Sequence, residues 1–271
     1  MLSRFILYLL EQLPGLRRTV ARWWYDRMAT RLRDPGWTFM NYGLVPPDGA
    51  VPDLAPVDEA DRLPIQLYHR TVSAGNLRGM RVLEIGSGRG GGASFLARYH
   101  HPAHVTGTDF SDKAVELCRT LHAAVANLDF TVGDAERLPF AAASFDAVVN
   151  VESSHCYGHM EAFLAEVVRV LRPGGCFLYA DFRRSAEMPV LERLLAAQAG
   201  WERVAHEDIT GAVVAALEAS DERTRRRIEE YVPRPRARKA AGEFAGIVGS
   251  RMYEGFRQRE FLYHRYAYRR H

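Results

Sequence analysis

The chain has 271 residues, of which 47% are hydrophobic, 25% charged and 11% aromatic. That composition excludes disordered, collagen-like and disulfide-stapled classes and leaves room for one large domain or two small ones. Its 36 basic and 33 acidic residues give a formal charge of +3, too even to demand an acidic partner such as nucleic acid.

Three scattered cysteines, Cys118, Cys156 and Cys176, form no CxxC pair. They fit a reducing compartment, so the expected location is the cytoplasm. The first 33 residues hold seven arginines against two acids, Glu11 and Asp26, with Trp23, Trp24 and Tyr25 among them. This stretch reads as a helix that either contacts a membrane surface or a partner synthase, or caps the chain's own domain. The apolar run from Phe5 to Leu10 stops at Glu11 with no small-residue cleavage site, which argues against an export leader. No stretch approaches the roughly 20 apolar residues that a membrane span requires. Pro46, Pro47, Pro52, Pro56 and Pro64 mark residues 44–64 as an irregular connector. Residues 1–64 are therefore read as a helical cap and connector, and residues 65–271 as the main domain.

From Met80 short β-branched runs alternate with amphipathic stretches, the pattern of a parallel sheet covered by helices. Strands are predicted at Arg81–Ile85, Val105–Asp109, Phe130–Val132, Ala147–Val151, Cys176–Ala180 and Trp201–Glu207. Helices are predicted at Gly92–Tyr99, at Lys113–Ala126 with Ser111 as its N-cap, and at Met160–Leu171, which Arg172-Pro173-Gly174-Gly175 stops. Residues 211–257 read as a helical insertion broken at Pro233 and Pro235, and Phe261–Tyr268 alternates as a last strand. The insertion carries eight Arg/Lys between Arg223 and Lys239, but Glu229 and Glu230 interrupt them. A solvated helix face explains this better than RNA binding, so no nucleic-acid partner is expected.

The first strand runs into Glu84-Ile85-Gly86-Ser87-Gly88-Arg89-Gly90-Gly91, a GxGxxG loop before a helix. Such a loop brings backbone close to a nucleotide-containing ligand without saying which. Glu84 discriminates: a carboxylate there sits badly beside a pyrophosphate but suits a ligand with an ammonium and a sulfonium, which favours S-adenosylmethionine. Asp109, closing the second strand before Phe110, can accept from both ribose hydroxyls. Gly133-Asp134-Ala135 follows the third strand; Asp134 either accepts from an adenine amino group, with apolar neighbours against the ring, or caps a turn.

In this order, with Ser144-Phe145-Asp146-Ala147-Val148 and Val170-Leu171-Arg172-Pro173-Gly174-Gly175, these motifs resemble class I S-adenosylmethionine-dependent methyltransferases over roughly residues 60–208. The resemblance implies a Rossmann-like α/β fold, a seven-stranded sheet whose last strand is antiparallel. It also implies that an N-terminal tyrosine, Tyr42 or Tyr68, touches the methionine end of the cofactor. A narrower resemblance rests on Leu67-Tyr68-His69-Arg70-Thr71, Gly90-Gly91-Gly92-Ala93-Ser94, Asn150-Val151-Glu152-Ser153-Ser154-His155-Cys156-Tyr157 and Tyr179-Ala180-Asp181. These are similar to the phthiotriol/phenolphthiotriol dimycocerosate methyltransferase group. That similarity implies O-methylation of a hydroxyl on a large apolar molecule, with Asn150 beside the cofactor.

Methyl transfer needs in-line alignment, exclusion of water and a proton acceptor, but no metal. The nucleophile should arrive beyond the fourth strand, where His155 is the candidate general base. Glu152 is the alternative, suited to C-methylation of a prenyl or isoprenoid chain. A non-catalytic cofactor-binding partner protein is the reading from another class. His155 and His159 stand four apart, but Cys156-Tyr157-Gly158 between them is a poor helix, so no metal site is expected there. Phe244, Ile247, Val248, Met252, Tyr253 and Phe256 fall at helical spacing in the insertion, either as core or as a pocket wall for a lipid-like acceptor.

Overall fold

A computed structural model describes residues 37–271. The expected N-terminal helix within residues 1–33 lies outside the described residues. Seven strands form one sheet in the order β3-β2-β1-β4-β5-β7-β6. They are β1 (Arg81–Ile85), β2 (His104–Asp109), β3 (Leu128–Val132), β4 (Phe145–Val151), β5 (Leu171–Arg184), β6 (Trp201–Asp208) and β7 (Phe261–Arg270). Strands β1 to β5 pair in parallel, while β7 runs antiparallel between β5 and β6. This is the Rossmann-like class I methyltransferase sheet that the motifs implied.

The alternation along β1 shows why the sheet is covered on both faces. Val82 turns toward a core that includes Phe95 and Leu96, whereas Leu83 and Ile85 turn toward one that includes Phe163, Leu164 and Val167. A parallel strand buried on both sides must be apolar at nearly every position. The exception in β1 is Glu84, which is fully buried.

Helices α1 (Arg62–Val72), α2 (Gly91–Tyr99) and α3 (Asp112–Leu121) precede or cross the first strands, and α4 (Met160–Val170) and α5 (Met188–Ala197) cover the other face. Ser111 caps α3 as expected, its hydroxyl accepting from the Ala114 amide at 3.0 Å. The helix stops at Leu121, five residues short of the predicted end. His122 turns away to hold the Arg89 carbonyl at 2.9 Å, and Asn127 donates to the carbonyls of Ala97 and Pro102. Two helices have no counterpart in the sequence reading: α1, which begins inside the proline-rich connector, and α5, which buries Met188, Leu191 and Leu195.

The insertion is three helices, α6 (Thr210–Tyr231), α7 (Pro235–Ala245) and α8 (Arg251–Arg257). Pro235 opens α7, where its missing N–H costs nothing. A second break follows at Gly246, in the left-handed conformation with φ 66°, and Ser250 restarts the chain as N-cap of α8. No helix among the described residues is long and apolar enough to cross a membrane.

Tyr68 on α1 packs directly on Gly92 of α2. A Cβ at Gly92 would lie 2.0 Å from Tyr68 Cζ. Gly92→Ala should therefore destabilise the fold by about 1–3 kcal/mol through overpacking. At Gly211 in α6 an added Cβ meets nothing within 4 Å, so Gly211→Ala should stabilise by up to about 1 kcal/mol. Urea denaturation of the two variants checks both signs.

Candidate active site

The carboxyl ends of β1 and β4 meet where the strand order reverses, the place at which open α/β sheets bind ligands. A cleft of about 990 Å³, part of it open to solvent, lies there. Its floor is the glycine loop. Gly86, at φ 77°, passes so close to the segment after β4 that a Cβ would lie 2.4 Å from Ser153 Oγ. The loop can only be this near the pocket because it lacks side chains.

Glu84 sits behind this floor. Its Oε1 accepts from the Tyr68 hydroxyl at 2.6 Å, whereas Oε2 is buried with no hydrogen-bond partner. Burial is the main reason its carboxyl is pushed up to about 8, against the lowering effect of Tyr68 and the Ala93 amide. Ser87 Oγ and Asn150 Oδ1 are also buried without partners. Three orphaned acceptor-capable atoms around one glycine turn fit a ligand that brings donors, among them an ammonium.

Asp109 ends β2 with its carboxylate folded back on the loop, accepting from Gly88 N at 2.9 Å and Ser111 N at 2.9 Å. Asp109 also lines the cleft, which places its carboxylate beside any ligand bound there. Phe110, 37% exposed, and Ala135 line the cleft beside Gly133 and Asp134. Asp134 Oδ1 accepts from Glu136 N at 3.0 Å, so it does cap a turn, and it also faces the cleft. The sequence-derived set Gly86, Ser87, Gly88, Asp109, Phe110, Gly133, Asp134, Ala135, Tyr68 and Glu152 is thus gathered around one cavity.

Four predicted residues stand one layer back from its wall. Glu84 and Asn150 lie beneath the loop, with Asn150 Nδ2 donating to Ile85 O at 2.8 Å and Ser153 Oγ at 2.7 Å. Tyr42 turns away: its hydroxyl donates to Phe244 O at 3.1 Å, and it is its backbone amide that reaches Glu152 Oε2, at 3.0 Å. His155 lies on the short 3-10 turn Ser154–Cys156, flanked by the cleft residues Ser153 and Cys156.

His155 and Glu152 differ sharply in environment. Glu152 adopts φ 50°, a left-handed conformation that costs energy in a non-glycine residue and is held in place by its partners. Oε2 also accepts from the Tyr263 hydroxyl at 3.1 Å. Burial raises its carboxyl to about 8, with Tyr42, His155 and Tyr263 working against the rise. His155 packs on Phe182 at 4.4 Å and directs Nδ1 to Asp181 Oδ1 at 2.9 Å. Burial disfavours its charged ring, yet the Cys156 sulfur and the Asp181 carboxylate outweigh burial and lift the imidazole to about 10. Asp181 is wholly buried and held well below the usual carboxylate range: burial opposes its charge, and His155, Arg183 and the Ser154 hydroxyl overcome it.

Asp181 was visible in the sequence only as part of a motif, because its partner stands 26 residues away on the next strand-end. Thr38 and Met40 of the cleft wall carry no motif at all. The nearest signal was the cluster of aromatic residues around them. His159 does not join His155; its Nδ1 pairs with Glu136 Oε2 at 2.9 Å.

Comparison with known proteins gives the arrangement its place. A methyltransferase domain family matches residues 83–179. The phthiotriol/phenolphthiotriol dimycocerosates methyltransferase of Mycobacterium tuberculosis is 39% identical over 251 residues, 93% of this chain and 92% of the relative. A fatty-acid O-methyltransferase of Mycolicibacterium smegmatis is 49% identical over 174 residues, 64% of this chain and 62% of the relative. Among solved structures, geranyl diphosphate C-methyltransferase from Streptomyces coelicolor, bound to S-adenosyl-L-homocysteine, superposes with a TM-score of 0.67 at 16% identity, covering 94% of this chain and 98% of that one. A putative sarcosine dimethylglycine methyltransferase from Galdieria sulphuraria gives 0.70 at 17% identity, covering 90% and 97%. The chain belongs to the S-adenosylmethionine-dependent methyltransferases, in the family of the phthiotriol/phenolphthiotriol dimycocerosates enzymes.

Proposed function

We propose that the protein methylates a hydroxyl oxygen of a lipid-like acceptor, with His155 accepting the hydroxyl proton. The observation that carries this reading is the His155–Asp181 pair. The buried carboxylate accepts from Nδ1–H at 2.9 Å and fixes that side of the ring, so proton exchange with the acceptor falls to Nε2, with the Cys156 sulfur beside the ring. A positioned imidazole of this kind contributes about 10²- to 10⁴-fold to a rate. One relative is named for phthiotriol/phenolphthiotriol dimycocerosates and the other for O-methylation of fatty acids, which supports a lipid-like substrate. A second recess, which shares Phe39, Met40 and Asn41 with the cleft, is lined by Leu217 and Phe244 and also by Asp61, Arg223 and Arg227, and adds room for part of an acceptor.

S-adenosylmethionine supplies an electrophilic methyl on a good leaving group. Ser87 would hold its methionine end at the glycine loop, with the Glu84 carboxyl and the Asn150 amide oxygen supporting it from beneath. Asp109 would take the ribose hydroxyls, Phe110 and Ala135 would flank the adenine, and Asp134 would accept from its amino group. Tyr68 positions the Glu84 carboxylate, and the segment from Thr38 to Asn41 excludes water.

The free protein carries the Glu84 proton below about 8, whereas an ammonium needs the carboxylate. Cofactor binding therefore releases that proton, and affinity for S-adenosylhomocysteine should rise with pH up to about 8 and then level. Calorimetry in buffers of different ionisation enthalpy measures the released proton. In Glu84→Gln the release should vanish and affinity should fall.

The imidazole of His155 must be neutral to act, and in the free protein it stays charged to about 10. The rate at saturating cofactor should therefore rise with pH, its limb displaced downward from about 10 by the sulfonium. His155→Gln should remove the limb and lower kcat by about 10²- to 10⁴-fold while leaving S-adenosylhomocysteine affinity within a few-fold. The second reading, C-methylation of an isoprenoid chain, rests on Glu152, which lines the cleft directly and whose carboxyl sits near 8. A limb that survives His155→Gln but disappears in Glu152→Gln, with methyl transfer to prenyl acceptors, would establish it.

A further inference from the structure

Three ligand-type side chains unrelated to the cleft converge where α5 packs on the outer strands. His206 on β6, His264 on β7 and Glu192 on α5 bring their ligand atoms within 4.8 Å of one another. His206 Nε2 lies 3.0 Å from His264 Nδ1, and Glu192 Oε1 lies 3.8 Å from each nitrogen. A tetrahedral zinc with metal–ligand bonds of about 2.0–2.2 Å has ligand–ligand edges of about 3.3–3.6 Å. The observed edges bracket that range.

We propose that this cluster is a zinc site of the His₂Glu type that clips α5 to β6 and β7. Two imidazoles and one carboxylate match the donor preference of Zn²⁺ and not that of Mg²⁺ or Ca²⁺, which take oxygen ligands. Burial lowers both imidazoles, so each is neutral and able to ligate at neutral pH. The rings are also held in place. His206 stacks on Tyr266 at 4.5 Å with the planes 4° apart, and His264 is 8% exposed.

The second observation is the far nitrogen of His264. Nε2 is buried without a hydrogen-bond partner, and the nearest carboxylate, Asp208 Oδ2, stands 3.7 Å away. When Nδ1 binds a metal, the proton must reside on Nε2. Asp208, which also pairs with Arg259, is then the nearest carboxylate, and closing the 3.7 Å gap on metal binding would give the hydrogen bond that orients metal-bound histidines. His206 remains solvent-accessible, so an ion can enter and a water can complete the fourth position.

The test uses the full chain stripped of metal with a chelator and titrated with Zn²⁺ by calorimetry, with Co²⁺ absorption as a report on tetrahedral nitrogen-containing coordination. The expected result is one equivalent bound at this site. Its affinity should fall at least 100-fold in His206→Ala and in Glu192→Gln, and 10- to 100-fold in Asp208→Asn, while His104→Ala leaves it unchanged. His206 is exposed, so its variant should fold, which circular dichroism confirms independently. Zn²⁺ should raise the Tm of the native chain and not that of His206→Ala. Binding that is equally strong in His206→Ala and Glu192→Gln, or an octahedral Co²⁺ spectrum, overturns the proposal.

Discussion

The site depends on a carboxyl group placed where an apolar side chain would be expected. Glu84 occupies an inward position of a central parallel strand, and a charge there carries a desolvation cost of several kcal/mol unless it is paired. The free protein avoids that cost by keeping the carboxyl protonated below about 8; it bonds Oε1 to the Tyr68 hydroxyl at 2.6 Å and leaves Oε2 unpartnered. Much of the surrounding geometry follows. Helix α1 must lie against the sheet to deliver Tyr68, and α2 must carry glycine at position 92 so that the tyrosine ring fits. The connector and the segment before it are also held to the nucleotide-binding half: Gly91 N donates to Thr38 O at 3.2 Å, and Ala55 N donates to the Tyr99 hydroxyl at 3.0 Å.

A second carboxyl, the half-buried Glu152, organises the facing side. It draws together the backbone at Tyr42, the hydroxyl of Tyr263 and, electrostatically, His155. Its left-handed backbone turns the chain sharply off β4, and His155 lands within reach of Asp181 at the end of the adjacent strand. The two carboxyls belong to parallel neighbours in the sheet, where Glu84 pairs in register with Val149, three residues before Glu152. Strand pairing therefore sets the spacing between the cofactor end and the acceptor end of the cleft. Loops alone would set it less rigidly.

The sheet was legible in the sequence because its strands are short β-branched runs between glycine turns. Ends were less so. Residues 122–126 continue a helical pattern, yet His122 and Asn127 spend their side chains on loop carbonyls, and those long-range bonds stop α3 early. The cofactor loop residues were readable for a local reason: Glu84 to Gly88, Asp109 and Gly133 to Ala135 each act within a few residues of a strand end. Asp181, Tyr263 and the Thr38–Asn41 wall act through contacts across 26 to more than 100 residues, and sequence periodicity carries no trace of such pairings. Tyr42 illustrates the limit. An aromatic residue before the domain was recognisable as part of the cover, but only the packing shows that its ring turns to the insertion and its amide to Glu152.

The two sides of the cleft consequently answer differently to sequence change. On the glycine-loop side the residues lie close to their own strand ends, and local hydrogen bonds such as Gly88 N to Asp109 at 2.9 Å couple them. The side around Glu152 and His155 is assembled from segments that meet only in three dimensions. The Tyr42 ring lies 5.8 Å from Phe182 and 5.5 Å from Phe256, and Phe182 in turn packs on Phe256, Phe261 and Tyr263. Shared contacts of this kind make substitutions non-additive, because removing one ring changes the space available to the others. His155 stacks on the same Phe182. The packing of the insertion and the orientation of His155 are therefore coupled through one phenylalanine, so a substitution at Phe256 in α8 is transmitted to the imidazole.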